Sequence, residues 1–333
     1  MKSDAKIFVA GGTGMVGAAV IRRLIDGGYS NIITNYFSRR PGETAAPRVR
    51  SQRIDLTRQS DVELFFVEEK PEYVFMAAAK VGGILANSTY KADFIYRNIM
   101  IASNVIHAAF AHGAKKLLNL GSSCIYPKRA PQPMKEECLL TGPLEQTNEP
   151  YAIAKIAAIK LCRYYNEQYG TDFISAMPTN LYGPHDNFDL HESHVLPAMI
   201  RKFHEAKASM EKGGDTTVTL WGSGSPLREF LHVDDLADAC VLLMERCSAT
   251  EIGEFVNVGT GRDLTIRELA EMVKGIVGFE GEIVWDLSKP DGTPRKLLDV
   301  SKMKSFGWEP KTGLEEGIRK TYAWYLAAGE FRR

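Results

Sequence analysis

Tyr151 and Lys155 stand four residues apart in the stretch NEPYAIAK, a spacing that puts both side chains on one face of a helix. A phenol titrates near pH 10, and a neighbouring ammonium favours its anion. Bringing it to about 7 takes roughly 4 kcal/mol of differential stabilisation. A phenol so placed can give a proton to a carbonyl oxygen as hydride arrives at carbon. The stretch GSSCIYP, residues 121–127, follows the apolar run Lys116–Leu120. Its Ser122 is suited to hold that same oxygen. Cys124, two positions on, is expected on the same face of an extended segment. By residue type alone its thiol is a small buried hydrophobe or, beside cations, a base.

Hydride chemistry needs a nucleotide, and GGTGMVG supplies a place for one. Gly11, Gly14 and Gly17 open the first helix directly after a short apolar strand. Glycines let the backbone turn tightly and approach a pyrophosphate at the helix N-terminus. Where an NAD-binding chain carries an acidic residue after the second strand, this one reads Asn35-Tyr36-Phe37-Ser38-Arg39-Arg40. A hydroxyl and two guanidinium groups suit a ribose 2′-phosphate, so NADP(H) is the expected cofactor. Asp55 and Leu56 are placed to flank the adenine, and Ala77–Ala79 leave room along the strand ends.

The elements that must position these groups alternate. Strands are expected at Lys6–Ala10, Ile32–Tyr36, Tyr73–Ala77, Lys116–Gly121 and Asp172–Pro178. Helices are expected at Met15–Gly28, Ser60–Glu69, Ala92–His112 and Tyr151–Tyr169. This predicts an α/β fold, a doubly wound parallel sheet of Rossmann type with a smaller C-terminal substrate-binding domain. The expected division is 1–180 plus about 230–262 for the nucleotide, and about 181–229 with 263–333 for the substrate. In the second half a strand near Phe255–Val258 and a helix at Thr265–Val277, capped by Thr265, are foreseen.

The 333 residues carry no net formal charge, which gives no field toward nucleic acid or anionic membrane. No stretch has the apolar length of a membrane span, and five irregularly spaced cysteines suggest no disulfide framework. A cytoplasmic location is expected. His185, His191 and His194 lie among acidic residues but lack helical metal-ligand spacing, so no metal is expected. His232 reads as a structural hydrogen-bonding residue, and Cys162 and Cys240 as core.

Longer motifs carry a resemblance: AAAKVGGI at 77–84, GSSCIYP at 121–127, NEPYAIAK at 148–155 and PTNLYGPHDN at 178–187. SHVLPA at 193–198, WGSG at 221–224, REFLHVDD at 228–235 and KPDGTPRKLLD at 289–299 continue it. Together they resemble the extended short-chain dehydrogenase/reductase family, over nearly the whole chain. Within it the nearest likeness is to enzymes that epimerise and then reduce a GDP-linked 4-keto-6-deoxy sugar, GDP-4-keto-6-deoxy-D-mannose or a related hexose or heptose. The resemblance implies Ser122, Tyr151 and Lys155 as the reducing group, Cys124 as the base and His194 as the acid for inversion at C3 and C5. It implies contacts to the cofactor from Met15, Val16, Leu120, Gly121, Ser123, Lys155, Pro178, Thr179, Asn180, Leu181 and His194. It implies contacts to the nucleotide sugar from Lys202, Trp221, Arg228 and Asp291, and the positive charges of Arg228 and Lys296 suit the diphosphate. It also implies a homodimer built on the helices Ala92–His112 and Tyr151–Tyr169. The segment SRRPGETAAPRVRSQ departs from the pattern by its length, and Thr13 stands where some relatives carry a basic residue. A 4-epimerase has no need of Cys124 and His194, and a 4,6-dehydratase would show Thr-Asp-Glu after the strand. A sensor that kept the fold would not need Ser122, Tyr151 and Lys155.

Overall fold

The computed structural model describes residues 1–37, 49–190, 192–214, 216–289 and 291–328. Its main sheet takes β1 (Ile7–Ala10), β2 (Ile32–Tyr36), β3 (Val49–Arg53), β4 (Tyr73–Met76), β5 (Lys116–Leu120) and β6 (Phe173–Pro178). A second set follows as β7 (Asn180–Tyr182), β8 (Thr217–Trp221), β9 (Leu227–His232), β10 (Val256–Val258), β11 (Asp263–Thr265), β12 (Glu282–Asp286) and β13 (Arg295–Lys296). Seven strands lie side by side in the order β10-β6-β5-β4-β1-β2-β3, each pair parallel. β1, β5 and β6 are buried throughout, as strands covered on both faces must be, and so they read as mainly apolar runs.

The faces are covered by α1 (Met15–Asp26), α2 (Gln59–Glu69), α4 (Lys91–Ala111), α5 (Glu149–Tyr169) and α7 (Val233–Arg246), with α3 (Ile84–Thr89) and α6 (Val195–Met210) outside the sheet. Ala19, Val20 and Leu24 of α1 pack with Leu236, Val241 and Leu243 of α7 on one side. Phe65 and Phe66 of α2, Val105 and Ile106 of α4, and Cys162 of α5 fill the other. The remaining helices are α8 (Ala249–Ile252), α9 (Ile266–Val277), α10 (Ser301–Ser305) and α11 (Leu314–Ala327). Thr265 does cap α9, in a reciprocal capping box with Glu268, which satisfies two otherwise orphaned N–H groups.

β7, β9, β11 and β13 form a small sheet, and β8 pairs with β12. Leu196, Ile200 and Phe203 of α6 pack there with Leu269 and Val273 of α9 and Ile318 of α11. Glu229, fully buried on β9, joins the two layers. Its carboxylate accepts the N–H groups of Thr260 at 2.6 Å, Gly261 at 2.7 Å and Leu298 at 3.0 Å.

Two sequence expectations are corrected. The long segment before Arg58 ends in the edge strand β3, where VRSQR offers one apolar residue in five and hence no visible strand pattern. Beyond Leu120 the chain does not stay extended: Ser123–Ile125 form a 3₁₀ turn whose cap, Ser122 Oγ, accepts from Cys124 N–H at 3.4 Å. Ser122 and Cys124 are thus brought together by a turn and not by strand alternation. No helix among the described residues is long and apolar enough to cross a membrane.

Candidate functional site

The sheet order reverses at β1, which has β2 on one side and β4 on the other. Open parallel sheets bind ligands at the C-terminal ends of their strands beside such a reversal, and a cavity of about 1050 Å³ lies here. Every candidate residue named above that falls within the described residues lines it. Ser38, Arg39 and Arg40 lie outside the described residues.

At the glycine turn, Gly11 has φ +85, the left-handed region that favours glycine. A Cβ on Gly17 would stand 2.2 Å from Gly11 O, so helix and turn close only without one. Asn35 Oδ1 accepts from Gly11 N–H at 2.8 Å, and Thr34 Oγ1 from Gly12 N–H at 3.0 Å. α1 then starts at Met15 with no acidic residue in its first turn, an open helix N-terminus that fits a pyrophosphate. β2 ends Asn35-Tyr36 with no carboxylate to claim a ribose 2′-hydroxyl. Asp55 accepts from Thr57 N–H and Oγ. The residues present fit a nicotinamide dinucleotide.

At the far end of β5, Lys155 is buried and donates from Nζ to Leu120 O at 2.7 Å. Burial pushes its pKa down to about 8. Its Nζ lies 5.7 Å from the centre of the Tyr151 ring. Tyr151 is pushed well up, first by burial and then by the Cys124 thiol, against a hydrogen bond with Ser122. The sequence expectation of a phenol drawn toward its anion is therefore reversed in the protein alone. The side chain is kept as a neutral proton donor, because desolvation outweighs an ammonium that is spent on a carbonyl.

Cys124 is half-buried. Lys296 Nζ stands 3.8 Å from its Sγ, and Asn148 Nδ2 donates to it at 3.2 Å. Arg228 is close enough to interact electrostatically with both Cys124 and Asp291. The parallel pairing of β13 with β9 sets Lys296 opposite Arg228. His194 is the N-cap of α6 and is exposed to solvent through the cavity it lines. Burial, and then the Lys296 charge, lower its pKa.

Trp221 is 52% exposed at the mouth, with Lys202 Nζ 5.8 Å and Lys289 Nζ 5.4 Å from its ring centre. Asp291 accepts from Ser223 N–H at 2.7 Å and Oγ at 2.8 Å. It shapes the turn after Trp221. Among the described residues no cluster of side chains could hold a metal ion.

Sequence reasoning missed Asn148 and Asp186, which also line the cavity. Asp186 is about nine-tenths buried, and its Oδ2 has no partner. Burial pushes its pKa up to about 7. An acidic residue amid glycine, proline and asparagine gave no local signal of burial.

Residues 7–259 match the sequence profile described as the NAD dependent epimerase/dehydratase family. The chain is 59% identical over 323 residues to GDP-L-fucose synthase 1 of Arabidopsis thaliana, covering 97% of this chain and 94% of that one. It is 52% identical over 330 residues to GDP-L-fucose synthase of Escherichia coli strain K12, covering 97% of each. A solved structure, GDP-mannoheptose C4 reductase from Campylobacter jejuni with NADP bound, matches with a TM-score of 0.86 at 40% identity. That match covers 98% of this chain and 99% of the other. The chain belongs to the NAD dependent epimerase/dehydratase family.

Proposed function

We propose that the protein converts GDP-4-keto-6-deoxy-D-mannose to GDP-L-fucose with NADPH, by epimerisation at C3 and C5 followed by reduction of the C4 ketone. The observation that carries this reading is the sharing of one cavity by two chemistries. Ser122, Tyr151 and Lys155 meet the end of the glycine-turn cradle, and Cys124 and His194 line the same space. The full-length likeness to GDP-L-fucose synthases supports it.

Bound in the cradle, NADPH supplies the hydride. Cys124 removes a proton from a carbon beside the ketone while Ser122 and Tyr151 hold the oxygen as negative charge develops on it. His194 returns a proton on the opposite face; its lowered pKa makes the protonated ring the stronger donor. After the second inversion Tyr151, kept neutral by burial, gives its proton to the carbonyl oxygen. Arg228, Lys296 and Lys202 supply positive charge for the diphosphate end. We assign residues 1–180 and about 230–262 to the dinucleotide, with the rest on the sugar. Tyr164 and Tyr169, each more than half exposed on α5, support a homodimer on α4 and α5.

NADPH oxidation, followed by its absorbance with GDP-4-keto-6-deoxy-D-mannose, tests the reading, with the product identified by NMR. The wild type is expected to yield GDP-L-fucose, and Cys124→Ser to oxidise NADPH without inversion. A wild type that leaves NADPH untouched overturns the assignment. The likeness to a heptose reductase favours a second substrate, a GDP-linked keto-heptose, which the same assay would accept in its place.

A further inference from the structure

α5 begins at Glu149, and Asn148 is its N-cap. Asparagine is favoured at that position because its side-chain oxygen accepts from N–H groups of the first turn. Two other helices use this device: Ser248 and Thr265 cap α8 and α9 through reciprocal boxes. Asn148 makes no capping bond. Its amide turns from the helix, and Nδ2 donates to Cys124 Sγ at 3.2 Å. The other end, Oδ1, is buried and without a partner, on a residue that lines the cavity. A side chain that gives up its local bond, grips a neighbour at one end and leaves the other bare in a cavity faces a third molecule.

We propose that, within the reaction assigned above, Asn148 is a positioning residue for Cys124. Its amide N–H fixes Sγ, and its free Oδ1 accepts a hydroxyl of the sugar, so that the carbon to be inverted is set against the thiol. The hydroxyls at C2 and C3 are the only hydrogen-bond donors on the sugar ring, and they lie beside and on C3, one of the two carbons that lose a proton. Lys296 stands on Sγ as well, at 3.8 Å; between the amide and the ammonium the sulfur has one direction in which to meet substrate. Tyr151 lies in the same first turn as the residue after Asn148, so one helix start fixes the spacing between the thiol's holder and the phenol. The role differs from capping, and it differs from binding the diphosphate.

The test uses the full chain and the variants Asn148→Ala, Asn148→Ser and Asn148→Gln. Deuterium wash-in from solvent into GDP-4-keto-6-deoxy-D-mannose, without NADPH, reads proton removal alone. Iodoacetamide labelling of Cys124, followed by peptide mass spectrometry without any sugar, reads the thiol contact alone. Asn148→Ala is expected to slow wash-in by about 10- to 100-fold, the span of a lost hydrogen bond to a charged group, and to change the labelling rate. Direct NADPH reduction of the uninverted ketone should suffer less, and Asn148→Gln should recover part of the wash-in. Asn148→Ser, free to cap α5, should raise Tm and still lack wash-in. If alanine lowers Tm and wash-in together and serine restores both, Asn148 is a helix cap and the proposal fails. It fails equally if wash-in by Asn148→Ala matches the wild type. If the wild type itself shows no wash-in, the functional reading fails instead. The labelling rate then decides the contact: unchanged in Asn148→Ala it removes the proposal, and changed it upholds the grip on Sγ.

Discussion

Around the glycine turn, Gly11 donates to Asn35, Gly12 donates to Thr34, and Thr34 donates in turn to Val9 O at 2.7 Å. Around the thiol and the imidazole, Asn87, Asn148, Asp186 and Ser193 each leave a buried oxygen with no partner. One end of the cavity is complete in its bonding and offers a ligand backbone, shape and a helix terminus. The other keeps polar side chains in reserve. A buried unpaired group costs about 1–3 kcal/mol, so the second end is held less stable than its sequence could make it. That is the expected cost where the few polar groups of a ligand have to be recognised.

The largest effect is expected where the two ends meet. Tyr151→Phe keeps the ring that stands edge-on to Phe94, 6.3 Å between centres, and removes only the hydroxyl that carries the proton. Single-turnover NADPH oxidation should slow by about 10²- to 10⁴-fold with Tm unchanged. A large loss of Tm instead would mean that the phenol is structural.

Asp186 tests the reserve directly. Its carboxyl titrates near 3.8 when unfolded and near 7 when folded. Below both values the proton is bound in each state and nothing is lost. As pH rises from about 4 to 7 the unfolded chain gives up its proton first, so stability falls, and it levels off above 7. Asp186→Asn keeps an acceptor for Asn187 N–H, now made at 2.7 Å, and removes the charge. Without ligand it should be more stable at pH 8 by at most on the order of 4 kcal/mol, and equal to the wild type at pH 3. Urea melts at both pH values would show it; equal melts at pH 8 would sink the idea.

Two smaller changes should separate the ends. Lys296→Met is expected to raise KM for the nucleotide sugar and to slow turnover, by about 10- to 100-fold in kcat/KM, with NADPH affinity unaltered. Gly17→Ala should do the reverse. Its Cβ would meet the backbone oxygen of Gly11 at 2.2 Å, costing about 1–3 kcal/mol of stability and weakening NADPH in a fluorescence titration. If both variants weaken both ligands alike, the cavity has no such division.

This division also decided what the sequence could disclose. Gly11, Gly14 and Gly17, and Tyr151 with Lys155, act through local geometry: a tight turn and a helical repeat of four. Their roles in the fold were legible from spacing. Lys202, Trp221, Arg228, Asp291 and Lys296 sit on α6, β8, β9, a loop and β13, so no spacing links them. Trp221 and Asp291 were named from resemblance alone, Lys202 and Arg228 from resemblance and charge, and Lys296 from its charge. β7 and β11 have three residues and β13 two, too few to display the alternation that marks a strand. Asn148 was hidden for another reason. Its residue type predicts a cap, and only the structure shows the side chain turned away from that role. The state of the Tyr151 phenol was illegible too, since it depends on how deeply the ring is buried and on what Lys155 Nζ does instead.

Glu229 closes loops of 31 and 69 residues at one carboxylate. Contacts so distant along the chain form slowly, because closure of the chain must precede the bonds that reward it. Releasing the carboxylate frees both strands, so the register that sets Arg228 beside Lys296 is lost as a unit. The strands β1 to β6 and the glycine turn all precede position 229. During synthesis, a chain leaving the ribosome has β1 to β6 and the glycine turn before α7 and β10 are added, and the charge of Lys296 arrives after all of them.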